Sequence, residues 1–374
     1  MGKVTAFCYL SGCTPEMAYN LRELFTFFVL KPGPLVQKAI EEILDDHEMR
    51  GQENVTAIGA IYPNGAPFSI DPIGFGLNEI EAVTDADIRA VPNCRAADLW
   101  EFGDIEPQDS KITGHSYRVS YGCCVMAMSS AVPIMHLATD GRLNPQRFWR
   151  LAMHQGMNVP HDECGFSDVD YGEVGMWREQ FPHPSPNLSE EEIVDLEKLG
   201  DVEVIQRVIV HDGGFWMWMS PDRFPLEPLV SDNPMTSISR SSSSGAYISH
   251  IELLPLELLI HLADFAPLPD LIALASTSRD LRLQILGCDA IARSCIYGNA
   301  PWYIPVLASV PEVEQAYKIK ASERDFLREK AGKFNMSMTW AYIRRCMASG
   351  SMRNRRRIWK VVEDIERVAD LARV

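Results

Sequence analysis

Apolar residues Val36, Ala39, Ile40, Ile43 and Leu44 return every three or four positions, the spacing of one helix face. The apolar-rich run Val55–Tyr62 reads as a strand, closed by the turn residues Pro63-Asn64-Gly65. A second helix is marked at both ends. Asn144 can cap it, Pro145 suits its first turn, Phe148, Leu151 and Ala152 face inward, and Gly156 ends it. A third opens at Ser189 with Glu192 three residues on, the spacing of a capping box, and Ile193 and Leu196 supply its apolar face. Val202–Val210 is rich in β-branched residues and reads as a strand broken by Gly213-Gly214.

From Ser231 to Tyr247 the pattern stops. This Ser-rich stretch has almost nothing to bury, so ordering it would not offset the entropy lost, and it reads as a linker. Beyond it the period is helical. Leu254, Leu258, Leu262 and Phe265 share one face, and Leu271, Leu274, Ala275, Ser278, Leu281 and Ile285 another. A last helix, from about Arg355 to Ala372, buries Ile358, Val361, Val362, Ile365, Val368 and Ala369 and leaves its charge on the other side.

Charge changes the picture. The 374 residues carry a net −16, a composition that disfavours contact with nucleic-acid phosphate. From Ala316 to Val374 fifteen basic residues stand against seven acidic ones, which leaves this tail at +8 and the rest at −24. The tail is expected to dock on the acidic body or to solvate itself. The run Arg353-Asn354-Arg355-Arg356-Arg357 with Lys360 reads as a solvated or ion-paired face, the alternative being a nuclear-import patch. The opening residues lack the apolar core of a signal peptide, and no stretch approaches the roughly 20 apolar residues that span a bilayer. Nine scattered cysteines then read as reduced thiols of the cytoplasm or nucleus, with no membrane partner expected.

Candidate chemistry is sparse. Cys8 and Cys13, spaced CxxxxC, are weak zinc candidates, with Cys94 or His161–Cys164 as possible further ligands in space, and core thiols are the plainer reading. Cys123-Cys124 sit in an apolar run and are expected to pack inside. His161 and Cys164 could form a nucleophile pair, but close neighbours in sequence seldom attain that geometry, and a polar loop is the simpler account. Gly74-Phe75-Gly76 lacks the third glycine and the lysine of a phosphate-binding loop. Ser241–Ser244 could accept phosphate or form a bare linker. No cofactor and no catalytic residue is expected.

The most informative segment is IELLPLELLIHLADFAPLPDLIALASTSRDLR, Ile251 to Arg282. Pro255 suits the first turn of a helix, where its missing N–H is not needed. Leu256, Leu258, Leu259, Ile260 and Leu262 then spread around most of the cylinder, so this helix calls for a second partner surface beside its own domain. After the break at Ala266–Pro269, Asp270 stands in the next first turn, where negative charge is favoured.

Leu254-Pro255-x-Glu257-Leu258-Leu259, Phe265, Asp270-Leu271, Leu274 and Thr277-Ser278-Arg279 together resemble an F-box, the helical module by which substrate receptors hang from the Skp adaptor of cullin ubiquitin ligases. Ala300–Pro305 and Trp340–Glu366 are further similar to the large divergent F-box family of mushroom-forming fungi. The resemblance holds from about Ile251 onward and before the linker is one of layout only. Nothing resembles the leucine-rich repeats or propellers of better-known receptors.

The resemblance implies a substrate-recognition adaptor of a Skp–cullin–F-box ligase, with Leu254, Pro255, Glu257, Leu258, Leu259, Leu262 and Leu271 touching the Skp adaptor, an unidentified protein substrate, and the chemistry in other subunits. The expected fold is an α+β N-terminal domain (1–230) joined by a Ser-rich linker (231–249) to an all-α F-box-like module (250–297) and a helical extension (298–374). Two rivals stand beside this reading: a helical interaction protein with no ligase link, and an enzyme housed in the N-terminal domain.

Overall fold

The computed structural model describes residues 7–13, 15, 33–46, 54–68, 76–98, 104–108, 114–119, 123–157, 165–172, 174, 188, 190–228, 250–305, 334–335 and 337–374. The expected linker at 231–249, Ser189, His161–Cys164 and Ser241–Ser244 lie outside them. The described chain falls into two units, one from residues up to 223 together with 353–374, the other from 224–305 and 334–352. The division therefore differs from the expected one: residues 353–374, read as the end of a C-terminal extension, group with the N-terminal residues.

In the first unit, α1 (Pro34–Asp45) turns Val36, Ala39, Ile40 and Ile43 inward, as their spacing predicts. No side chain of its own caps it. The carboxylate of Glu197 accepts from the amides of Leu35 and Val36 at 3.0 Å each, putting negative charge on the positive end of the helix. A five-stranded sheet follows, β1 (Asn54–Ala60), β2 (Ile88–Asp98), β3 (Asp104–Pro107), β4 (Tyr117–Arg118) and β5 (Cys124–Met128). Its order is β4-β3-β2-β1-β5 and all pairs are antiparallel. Between β1 and β2 lies α2 (Leu77–Ala82).

All of β1 beyond Asn54 is buried, which is why the run is apolar without alternation. Gly59 faces Cys124 in β5, and a Cβ there would stand 2.1 Å from the Cys123 carbonyl oxygen. After β5 come α3 (Val132–Thr139) and α4 (Pro145–His154). Asn144 caps α4 as expected, accepting from the Arg147 amide at 2.8 Å. Trp149 of α4, fully buried, donates its indole N–H to the Cys123 carbonyl at 2.6 Å.

The run Val202–Val210 is not a strand. A short helix, α5 (Glu190–Asp195), with a following 3₁₀ turn leads into α6 (Val202–Arg207), extended by a π turn over Val208–Asp212. Local capping outweighs β-branched composition here. The Asp201 side chain accepts from the amides of Glu203 and Val204, and Ile205 and Ile209, four apart, turn inward. Gly214, at φ 81°, ends the turn and begins the buried segment Phe215–Met219.

The last helix of the chain, Gly350–Ala372, buries Ile358, Val361, Val362, Ile365, Val368 and Ala369 as the sequence predicts. Its basic run is divided: Arg353, Arg356 and Lys360 are exposed, as expected of a solvated face, while Arg355 and Arg357 turn inward. Arg355 is only 2% exposed and donates to the Pro221 carbonyl. Arg357 donates to the carbonyls of Ser11 (2.6 Å) and Tyr171 (3.3 Å) and to Asn354 Oδ1 (2.8 Å). Asn354, itself buried, donates to the Met219 carbonyl at 2.6 Å, and Arg353 lies 4.0 Å over the Trp216 ring. The expected pairing of basic tail with acidic body is seen at Arg345, which pairs with Glu227. Arg355 and Arg357 of the last helix take backbone carbonyls, and its carboxylates also meet basic groups: Glu366 pairs with Arg142 at 2.6 Å, and Asp370 with Arg147.

The second unit packs four consecutive helices, α7 (Leu256–Phe265), α8 (Leu268–Thr277), α9 (Arg279–Leu286) and α10 (Asp289–Asn299), with α11 (Trp340–Ala348). The single helix expected through Ile285 is broken at Ser278, whose extended backbone caps α9 by accepting from the Leu281 amide. Leu259, Ala263, Leu271, Ala275, Leu281, Ile285, Ile291, Ile296, Trp340 and Ile343 form its core. Two buried polar tips are satisfied by carbonyls: Trp340 donates to Ile285 (2.6 Å) and Tyr342 to Tyr303 (2.7 Å). The unit is not wholly helical. A two-residue ladder joins β6 (Glu227–Pro228) to β7 (Phe334–Asn335).

Candidate docking face on the second unit

The first turn of α7 is built on Pro255, whose carbonyl accepts from the amides of Leu258 (3.0 Å) and Leu259 (3.2 Å). Its ring fixes φ at −55° and costs no hydrogen bond at this position. Seen down the axis at 100° per residue, Leu259 and Ala263 point one way, into the core, with Ile260 and Ala266 half-buried beside them. Leu258, Leu262 and Phe265, at spacings of four and three, lie together on an adjoining side, roughly 110° round from the core direction, and are 52%, 39% and 71% exposed. The helix therefore has two apolar faces and buries one. Ile251 and Leu253, in the turn before it, and Leu256 at its start are also exposed. Between the outward leucines, His261 stands edge-on to Phe265 (centroids 5.1 Å apart) and meets Asp264 at 3.3 Å.

The residues expected to touch a partner separate by place. Leu258 and Leu262 are on the outward face. Glu257 is exposed in the first turn, Pro255 is exposed and starts the helix, and Leu254 is half-buried against the core. Leu259 and Leu271 turn inward, 2% and 1% exposed, so they support the module and are corrected from contact residues to core residues. Ile251, Leu253, Leu256 and Phe265, outside the expected set, are exposed apolar residues as well. Their signal was present in the sequence as an excess of apolar residues over what one face can bury.

Elsewhere the candidate chemistry resolves into packing. Cys8 and Cys13 are buried across a tight turn: the Cys8 sulfur accepts from the amides of Ser11 and Met128, and Cys13 donates to the Met217 carbonyl. Among the described residues, no three His, Cys, Asp or Glu side chains are placed to hold a metal ion. Cys123 and Cys124 are buried with their sulfurs 3.8 Å apart. The hydrogen bond with Cys123 and burial hold the Cys124 thiol well above the usual range. Burial pushes Cys94 to about 12, Cys346 to about 12 and Cys295 to about 11. Such thiols are poor nucleophiles at neutral pH. No helix among the described residues is long and apolar enough to cross a membrane.

No protein-family model matches the chain, and neither the curated proteins nor the solved structures include one similar to it.

Proposed function

We propose that the second unit is a docking module and that the chain is a non-catalytic adaptor hanging from the Skp adaptor of a cullin ubiquitin ligase. The observation that carries this reading is the unburied apolar side of α7, where Leu258, Leu262 and Phe265 stand exposed beside the core-facing Leu259 and Ala263. An apolar helix face held rigidly against its own domain suits the helix-in-groove mode, in which side chains at these spacings act as anchors. Exposed leucines in this number are a liability unless something covers them. The resemblance of Leu254-Pro255-x-Glu257-Leu258-Leu259 to an F-box is the ground for choosing the Skp adaptor as the partner. In this reading the first unit captures a protein substrate.

The test is co-purification of the full chain with the Skp adaptor, wild type beside Leu258→Glu and Phe265→Glu. Both positions are exposed, so the variants keep the fold. Capture by wild type and loss in both variants supports the reading. Equal capture by all three contradicts it. A chain that self-associates through the same face and ignores the adaptor favours the reading as an interaction protein without a ligase link.

A further inference from the structure

α7 ends against a proline, and this leaves a specific defect. In a continuing helix the Ala263 carbonyl would accept from the amide of residue 267, four positions on. Residue 267 is proline and has no N–H. Ala263 is fully buried, so water does not reach the group from that side chain's face. The missing donor comes from another helix. Asn299, the last residue of α10, places its side-chain amide between two acceptors, 2.9 Å from the Ala263 carbonyl and 3.0 Å from that of Ala266. The preceding residue makes this reach possible. At Gly298 the backbones of α7 and α10 are so close that a Cβ would stand 2.2 Å from the Asp264 carbonyl oxygen. Gly298 and Asn299 thus clasp the final turn of α7, and that turn carries Leu262 and Phe265, the far end of the outward apolar face.

We infer that Asn299 is a positioning residue for docking: its amide, replacing the N–H that Pro267 lacks, holds the Leu262–Phe265 end of the face in the geometry the partner reads. The inference rests on the adaptor reading above. A preformed face binds more tightly than one that must be ordered on contact, so loosening this turn weakens binding without removing any contact atom.

The experiment compares wild-type full chain with Asn299→Ala, Asn299→Asp and Gly298→Ala. Asn299→Asp keeps the shape and replaces the donor with an acceptor facing two carbonyls. Affinity for the Skp adaptor is read by calorimetry, and amide hydrogen exchange is read separately over 262–266 and over α11. Expected is faster exchange at 262–266, unchanged exchange in α11, and about a tenfold loss of affinity in Asn299→Ala, larger in Asn299→Asp. Unchanged exchange at 262–266 overturns the role of Asn299. Faster exchange with unchanged affinity shows that this end of the helix is not read by the partner, and also overturns it. No binding by wild type overturns the adaptor reading itself, which the exchange data keep distinct from a failure of Asn299 to hold the turn.

Discussion

Replacing Arg357 by Ala tests the least expected feature of the first unit. The guanidinium joins the last helix to two distant backbone carbonyls, Ser11 at 2.6 Å and Tyr171 at 3.3 Å, and braces Asn354, which holds the Met219 carbonyl. Ser11 is fully buried and Tyr171 nearly so. Truncation leaves these acceptors without their charged donor. A hydrogen bond to a charged group contributes about 1.5–3 kcal/mol. Allowing for the longer second bond, the loss is about 3 kcal/mol, a large share of the roughly 5–15 kcal/mol that holds a domain folded. Lys360, three residues on and exposed, is the control: Lys360→Ala is expected to stay within about 0.5 kcal/mol. Arg357→Lys falls between, because an ammonium cannot span the carbonyls that the planar fork reaches. Urea unfolding followed by tryptophan fluorescence reads the effect, since Trp149, Trp216, Trp218 and Trp359 lie in this unit. With a slope of about 3 kcal/mol/M, the midpoint of Arg357→Ala drops by about 1 M at unchanged slope. A shift no larger than that of Lys360→Ala would refute the account of Arg357 as an internal clasp.

Three further outcomes follow from the packing. Leu259→Ala, in the core, is expected to destabilise the second unit by about 2–5 kcal/mol, while Leu258→Ala on the outward face leaves its melting nearly unchanged, and equal melting of the two would contradict the assignment of faces. Gly59→Ala should prevent close pairing of β1 with β5, because its Cβ meets backbone at 2.1 Å, and a wild-type melting temperature would show the strands free to separate. The thiols of Cys94, Cys295 and Cys346 have folded values of about 12, 11 and 12 against an ordinary 9.0. Since the folded values are the higher ones, their contribution to stability is complete below pH 9.0 and is lost as pH rises from there through 11–12. Urea midpoints at pH 8 and pH 10 should differ less in a chain with Ala at all three positions, and an equal drop would remove the thiols as its cause.

How much was legible in the sequence depends on whether the deciding contacts are local. The caps of α4 and the inward faces of α1 and the last helix follow from neighbours within a turn, and periodicity shows them directly. The strand reading of Val202–Val210 failed because β-branched composition was given more weight than Asp201, whose capping bonds start a helix there. Arg355 and Arg357 could not be placed from their neighbours, because their acceptors Pro221 and Ser11 lie far away in sequence. For α7 the sequence reported too many leucines for one buried face. Which of them go inside is set by the close crossing with α10 at Gly298, so Leu258 and Leu259, adjacent in sequence, have opposite roles.

The central claim is the docking of α7, and calorimetric titration of the wild-type full chain with the purified Skp adaptor tests it most directly. The account predicts saturable binding tighter than about 30 μM, roughly 6 kcal/mol. It also predicts about a thirtyfold weakening in Leu258→Ala, on the order of 2 kcal/mol for a central anchor. A wild-type chain that gives no saturable binding at tens of micromolar adaptor, while melting cooperatively, contradicts the claim and leaves the outward face of α7 to some other partner.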